Sequence, residues 1–429
     1  MKIIKYPAKT EWEALQRRPA LDMTALFGVV QTVFDEVQAD GDAAVKRYGE
    51  KFDGVSISAL EATPEEIREA GSLLPDDLKQ AIRTAHDHIA AFHAAQRFAG
   101  VTVAIMPGVT CWQKAVPIEK TGLYIPGGTA PLFSTVLMLA VPARIAGCGE
   151  ITLCTPPGKD GKIHPAILFS AQLAGVDKIF KVGGIQAIAA MTYGTESISK
   201  VYKIFGPGNQ YVMAAKQLAG MKDVAIDMPA GPSEVAIIAD GSARPAFIAS
   251  DFLSQAEHGV DSQSLLLTTS EKLADAVAEE IERQLSRLSR RELIIKSLTN
   301  SRIIILGDVE EMIAFSNRYA PEHLIIQTAD TAYVKDRILN AGSVFLGAYT
   351  PESAGDYASG TNHTLPTNGY ARAYSGVNLD SFVKKITFQE ITKEGLTALG
   401  ATVEVMAAHE QLDAHKNAIA VRLKKENFE

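Results

Sequence analysis

The chain has 429 residues, room for two or three domains, and 47% of them are hydrophobic, which suits a protein with a large core. Charged residues make up 21% with both signs mixed along the chain, and the net charge of −8 argues against a nucleic-acid surface. The three cysteines cannot build a disulfide framework, no apolar stretch reaches bilayer length, and the first residues hold no signal-peptide pattern, so a reduced cytoplasmic protein is expected.

Residues 10–100 are expected to be helical. Positions 25–48 and 63–98 carry apolar residues at helical spacing, and Thr63 followed by Pro64-Glu65-Glu66 is a good helix start. Near residue 122 the period changes. Short apolar strands at 122–125, 151–154, 178–182 and 201–205 alternate with helical stretches beginning at 131 and covering 164–174, 185–193 and 210–218. That alternation predicts a parallel sheet with helices on its faces. A second set follows, with strands at 235–239, 265–268, 303–306, 324–327 and 343–346 and helices at 246–257 and 271–288. The expected fold class is therefore α/β. It has two doubly wound, incomplete Rossmann-like parallel-sheet domains with smaller helical N- and C-terminal segments, an arrangement that suggests an old duplication. The expected divisions are 1–120, 121–232, 233–375 and 376–429. Residues 347–376 are rich in Gly, Ser and Thr and are expected to form a long functional loop. Residues 380–423 are expected to be helical and charged.

Three glycine turns, Gly127-Gly128, Gly183-Gly184 and Gly206-Pro207-Gly208-Asn209, each sit between a strand and a helix. Backbone N–H groups at helix starts bind phosphates, and such turns fit a dinucleotide laid across a sheet. They fit equally the tight turns every doubly wound sheet needs, and neither a GxGxxG nor a P-loop pattern is present. Gln255 and His258 are three residues apart on one helix face. With Asp356 and His415 they would make a nitrogen and oxygen donor set suited to zinc with positions left open for substrate; each alone reads more readily as a surface or satisfied core residue. Glu322-His323 stands at a strand start after Pro321. A carboxylate beside an imidazole can share the work of activating water and moving a proton, or can be a polar surface turn. His363, His409 and Glu410 add further polar groups. Cys148 and Cys154 flank a strand and read as buried and inert, and Cys111 has no base nearby, so all three read as structural.

Taken together these segments resemble the histidinol dehydrogenase family. The matching blocks are Gly122-Leu123-Tyr124-Ile125-Pro126-Gly127-Gly128, Gly183 through Ala189, Phe205-Gly206-Pro207-Gly208-Asn209, Ile226 through Glu234, residues 250–263, Tyr319-Ala320-Pro321-Glu322-His323-Leu324, residues 342–366 and Ala414-His415-Lys416-Asn417. They span about residues 20–422. The resemblance implies oxidation of L-histidinol through L-histidinal to L-histidine with two NAD⁺ and one zinc per subunit, the last step of histidine biosynthesis. It implies zinc ligands at Gln255, His258, Asp356 and His415, and an acid/base pair in Glu322 and His323. Substrate-positioning groups would be Ser233, His363 and Glu410, with the metal ligands and His323 also lining the substrate. NAD contacts would be Tyr124, Gln186 and Asn209, which makes 121–232 the cofactor unit and 233–375 the catalytic one. It implies a homodimer with a shared active site, His415 crossing to the partner.

The chemistry is consistent with those residues. His323 can take the hydroxyl proton in the first oxidation, and water activated by Glu322 can add to the aldehyde before the second. Such a route needs no cysteine, which separates it from an aldehyde dehydrogenase built on a thiolate. A structural zinc protein would want cysteine ligands, and none of the four is Cys. Retention of Glu322, His323 and all four ligand positions argues against a relative that binds without catalysis.

Overall fold

A computed structural model describes residues 1–19, 24–127, 130–222 and 224–423. Gly128 of the first glycine turn and residues 424–429 of the expected C-terminal tail lie outside them. The chain divides into two units. One comprises 1–96 with 118–382, and the other 97–117 with 383–429. These units cut the chain differently from divisions at 120, 232 and 375.

The larger unit holds two parallel sheets. The five-stranded sheet runs in the order Lys178–Lys181, Glu150–Thr155, Lys120–Tyr124, Lys203–Phe205, Ala225–Ile226. The six-stranded sheet runs Lys2–Lys5, Arg302–Ile305, Gln263–Thr268, Glu234–Ala239, His323–Gln327, Ser343–Leu346. All pairings in both sheets are parallel. With the N-terminal strand set aside, both follow one order: third, second, first, fourth, fifth. That is the doubly wound order, and it makes the two sheets topological repeats. Central strands are buried along their whole length, as in Glu234–Ala239 and Gln263–Thr268. Strands covered on both faces read as continuous apolar runs rather than alternating ones.

The N-terminal helices are part of this unit. Thr24–Tyr48 packs on the helices Gly184–Tyr193 and Gln210–Gly220, burying Val30, Val33, Phe34 and Val37 in the core of the first sheet. Asp76–Ala94 packs on Phe133–Ala146 and contributes Ile82, Ala85 and Ile89. They supply layers that the short helices between the strands leave open. The strand Lys2–Lys5 has only two apolar residues, too few for a pattern; its pairing with Arg302–Ile305 supplies the order.

The smaller unit is an antiparallel sheet in the order Val383–Ile391, Val109–Pro117, Val101–Met106, followed by helices Lys393–His409 and Asp413–Leu423 packed on each other. Here the expected helix from residue 380 is corrected. Residues 383–391 form a strand, because Val383, Ile386, Thr387, Phe388 and Ile391 favour extended backbone and pair in register with Val109–Pro117. Trp112 stacks on Phe388 across that pairing at 5.4 Å. A second correction concerns 347–376. Within the expected loop lies the helix Glu352–Tyr357, capped by extended Pro351 and too short to show a helical period.

Candidate active site

The six-stranded sheet gathers its reactive groups at the amino ends of its strands. Helix Val309–Tyr319 ends at Ala320 in left-handed backbone, and Pro321 then leads into His323–Gln327. Glu322 stands just before that strand and His323 is its first residue, opposite Val235 of the neighbouring strand. Gly342 allows the chain of Ser343–Leu346 to approach here, since a Cβ on it would lie 2.6 Å from the Glu322 carbonyl oxygen.

One residue of the neighbouring strand addresses both groups. The Glu234 backbone N–H donates to Glu322 Oε2 at 2.9 Å, and the Glu234 carbonyl accepts from His323 Nδ1 at 3.2 Å. Ser233 Oγ donates to the same Glu322 oxygen at 2.6 Å. The Glu234 side chain is in turn gripped by Arg18, whose Nη2 lies 2.7 Å from Oε1 and whose guanidinium stacks 3.8 Å from the centre of the Tyr319 ring. With Nδ1 donating to a carbonyl, the His323 nitrogen left to accept a proton is Nε2, which has no hydrogen-bond partner among the described residues and lies 3.7 Å from Asp356 Oδ1.

Burial pushes the Glu322 carboxyl up to about 7, against the opposing effects of His323 and Ser233. For His323 burial works downward, but the carboxylates of Glu352, Glu322 and Asp356 outweigh it and hold the imidazole well above its ordinary range. A divalent cation among those carboxylates would offset them and return His323 toward a neutral base. A carboxylate and imidazole tuned this way, side by side and almost wholly buried, suit proton transfer near neutral pH.

Beside this pair lies a group of donor atoms. Helix Pro245–Ala256 carries buried Gln255 in its last turn, and His258 follows at i+3. Glu352 and Asp356 stand one turn apart on Glu352–Tyr357. His258 Nε2 is 3.8 Å from Glu352 Oε1 and 3.9 Å from Asp356 Oδ2. One ligand atom from each of these three residues falls within 4.8 Å of the other two. Among the described residues, the Gln255 amide nitrogen and oxygen, both Glu352 oxygens and His323 Nε2 are buried with no hydrogen-bond partner. Buried polar atoms are almost always satisfied, so a cluster of unsatisfied ones facing a carboxylate-rich recess fits a bound cation. The imidazole, amide and carboxylate donors fit zinc in particular. Burial acts to raise the Asp356 carboxyl, but His323, His363 and His258 outweigh it and hold it below its ordinary value. His258 retains 44% side-chain exposure, yet desolvation in the recess lowers its pKa. His363 Nδ1 donates to the Asp356 carbonyl at 2.8 Å, and its Nε2 accepts from Thr135 Oγ1 at 3.1 Å, so Thr135 of the first sheet's helix Phe133–Ala146 reaches the same region.

The five-stranded sheet instead borders a cavity of about 1260 Å³ lined by Tyr124, Gly127, Gly184, Asn209, Tyr211 and Asp53. Tyr124 Oη accepts the Gly184 N–H at 3.1 Å, and burial pushes its hydroxyl up to about 12. Asn209 caps the helix Gln210–Gly220 by accepting from the backbone of Tyr211 and Val212. Gly206 (φ +123°) crosses so close to Tyr124 that a Cβ would lie 2.1 Å from its carbonyl oxygen. Gln186 is fully buried, with Nε2 3.5 Å from Asp53 Oδ2 and its Oε1 unpartnered. Tyr124 and Asn209 line the cavity directly, on the carboxyl-end side of their strands.

Ser233, Gln255, His258, Glu322, His323, Asp356 and His363 all belong to the larger unit. Glu410 and His415 belong to the smaller one, where Glu410 ends Lys393–His409, His415 lies in Asp413–Leu423 and both are exposed. Cys148 and Cys154 are buried, and burial pushes the Cys148 thiol up to about 11, away from thiolate chemistry. Sequence reading missed Glu352, Thr135 and the Arg18–Glu234 pair. For Glu352 the signal was present, since Glu352 and Asp356 have the i,i+4 spacing of one helix face.

The histidinol dehydrogenase family profile matches residues 16–423. A histidinol dehydrogenase of Bacteroides thetaiotaomicron is 66% identical over 423 residues, covering 99% of each chain. One of Salmonella typhimurium is 52% identical over 413 residues, covering 96% of this chain and 94% of the relative. The crystal structure of histidinol dehydrogenase from Elizabethkingia anophelis superposes with a TM-score of 0.97 at 54% identity, over 99% of this chain and 98% of that one.

Proposed function

This chain belongs to the histidinol dehydrogenase family of oxidoreductases in histidine biosynthesis, and from that premise we propose that it oxidises L-histidinol through L-histidinal to L-histidine. The reading includes two NAD⁺ per turnover, one zinc per subunit, a cytoplasmic location and a homodimer. The observation that carries it is the buried Glu322–His323 pair, held by one backbone residue beside a recess of unpartnered donor atoms.

Zinc, when bound, would supply a Lewis acid that holds the substrate's imidazole and amine, and NAD⁺ would supply the two oxidising equivalents. Gln255, His258 and Asp356 are the residues of this unit that would hold the metal, with His415 completing the set from the partner subunit. His363, steadied by the Asp356 carbonyl and Thr135, and Ser233 would orient the substrate, with Glu410 as a further contact. His323 accepts the carbinol proton at Nε2 while Nδ1 stays fixed on the Glu234 carbonyl. Glu322, deprotonated, accepts a proton from the water that adds to the aldehyde. Because the aldehyde must not escape, a buried and prearranged pair serves both oxidations better than an open one. Tyr124 and Asn209 would meet the cofactor at the large cavity, with Gln186 a further contact from its buried position beside the lining residue Asp53.

The experiment is NADH formed per L-histidinol in limiting substrate, before and after chelation and zinc restoration. Two NADH, lost with chelator and regained with zinc, are expected. One NADH would mean an alcohol dehydrogenase that stops at the aldehyde, and none would sink the reading. For the dimer, mixing inactive His415→Asn and His258→Asn chains should restore activity; a mixture that stays inactive would argue for a self-contained site.

A further inference from the structure

The helix Gln210–Gly220 carries a charge that the chemistry just assigned does not use. Lys216 is one of the largest fully buried side chains, and its ammonium meets the Asp227 carboxylate at 2.5 Å, the two side chains being 2% and 1% exposed. Taking two charges out of water is costly, and an apolar pair of similar volume often serves a fold as well or better. Stability alone therefore does not account for the pair. What it does is hold one residue by both of its backbone groups. Lys216 Nζ donates to the Gly206 carbonyl at 2.7 Å, and the Gly206 N–H donates to Asp227 Oδ2 at 2.8 Å. Gly206 opens the turn Gly206-Pro207-Gly208-Asn209 and takes φ +123° against the Tyr124 carbonyl. Glycine permits that backbone without selecting it; the two contacts select it. At the far end of the turn, Asn209 caps the same helix and lines the large cavity with Tyr124. The helix thus reaches back from Lys216 over its own start. Asp227 has a second attachment. Its Oδ1 accepts the Met228 N–H at 2.7 Å, and its own N–H donates to the Ile204 carbonyl at 3.0 Å. It thereby anchors the head of the segment 227–233, which leaves the five-stranded sheet and ends at Ser233, beside Glu322.

We propose that Lys216 and Asp227 are positioning residues of the cofactor site, fixing the turn from Gly206 to Asn209 against Tyr124 and tying it to the segment that carries Ser233. The inference rests on the NAD⁺ reading above. Neither residue lines the cavity, so the pair acts on a cofactor only through the turn it holds. Loosening the turn costs cofactor affinity before it costs anything at the Glu322–His323 pair.

The test separates stability from cofactor affinity. Lys216→Met, Asp227→Asn and the double variant are compared with wild type by thermal unfolding, by NADH binding read from its fluorescence, and by the KM values for NAD⁺ and L-histidinol in the zinc-loaded enzyme. Each single variant leaves one buried charge alone and should lose stability, whereas the double variant removes both charges and should unfold close to wild type. The double variant should nevertheless bind NADH roughly 10-fold more weakly and raise the KM for NAD⁺ to match, with the KM for L-histidinol changed by less than about twofold. A double variant that regains stability and binds NADH within about twofold of wild type overturns the proposal, because the pair then serves the fold only. An equal rise in both KM values overturns it too. Wild type that binds no NADH overturns the cofactor reading and the proposal with it. Should the double variant fail to fold, Asp227→Asn decides at a temperature where it is folded. NADH affinity lowered more than about twofold with an unchanged KM for L-histidinol supports positioning, and any other result overturns it.

Discussion

The five-stranded and six-stranded sheets share one strand order and put opposite ends of it to use. In the first, the cavity opens on the carboxyl-end side, beside Tyr124 and Asn209, where helices begin. In the second, Ser233, Glu322 and His323 stand at the amino ends, and His258 and Glu322 follow the last turns of helices. The rule that doubly wound sheets bind ligands outside their strand carboxyl ends locates the first site and misses the second. Helix polarity explains the division. Helix starts present N–H groups and suit anions such as a pyrophosphate, while helix ends present carbonyls and suit cations. A duplicated sheet thus offers two electrostatically opposite floors, one suited to anions and one suited to cations.

The largest expected break in that contrast is His323→Asn. It removes the proton acceptor of the second floor and should lower both half-reactions roughly 10³-fold in single-turnover measurements with histidinol and histidinal supplied separately. Glu322→Gln should cut aldehyde oxidation by roughly 10²-fold and alcohol oxidation by less than about tenfold; equal losses would abolish the division of labour. Because the Glu322 carboxyl is held at about 7, wild-type aldehyde oxidation should also decline as pH falls below that value, a limb that the variant lacks.

Asp251 sharpens the comparison in stability. Burial raises its carboxyl from 3.8 to about 7, so the folded state favours the neutral form. That stabilisation is fully present below about pH 4 and is lost as pH rises through about 7. Asp251→Asn should therefore raise stability above pH 7 by on the order of 2 kcal/mol and flatten the pH profile of denaturant unfolding. A variant as pH-sensitive as wild type would place the titrating charge elsewhere. The smallest effect is expected on the first floor. Tyr124→Phe loses one hydrogen bond to the Gly184 N–H, about 1 kcal/mol, and should raise the KM for NAD⁺ several-fold with kcat little changed. A fall in kcat alone would give Tyr124 a different role.

Most of the parallel framework was legible in the sequence because its strands are uninterrupted apolar runs between helical periods. Segments whose order comes from distant partners were not. Lys2–Lys5 carries two lysines around two isoleucines and becomes a strand only against Arg302–Ile305. Residues 383–391 mix charge with β-branched residues and become a strand through Val109–Pro117. At the candidate site, Gln255, His258, Glu322, His323 and Asp356 could be named because their residue types and local spacing fit known chemistry. Glu352 was signalled by its i,i+4 spacing to Asp356, in a helix too short to show a period, whereas Arg18 lies more than two hundred residues from the glutamate it grips, a pairing no local pattern encodes.

The grip of Glu234 on the reactive pair is made by its peptide groups, which no substitution other than proline can delete. Other amino-acid changes at 234 disturb only the Arg18 and Tyr319 contacts behind it. The two contacts can be lost together only by a slip of Glu234–Ala239 past His323–Gln327, and such a slip would exchange the residues that these strands pack into the two cores flanking the sheet. Assembly of the reactive pair is therefore the same event as docking of these two strands, and a refolding chain gains its proton-transfer geometry with its central sheet rather than in a later adjustment.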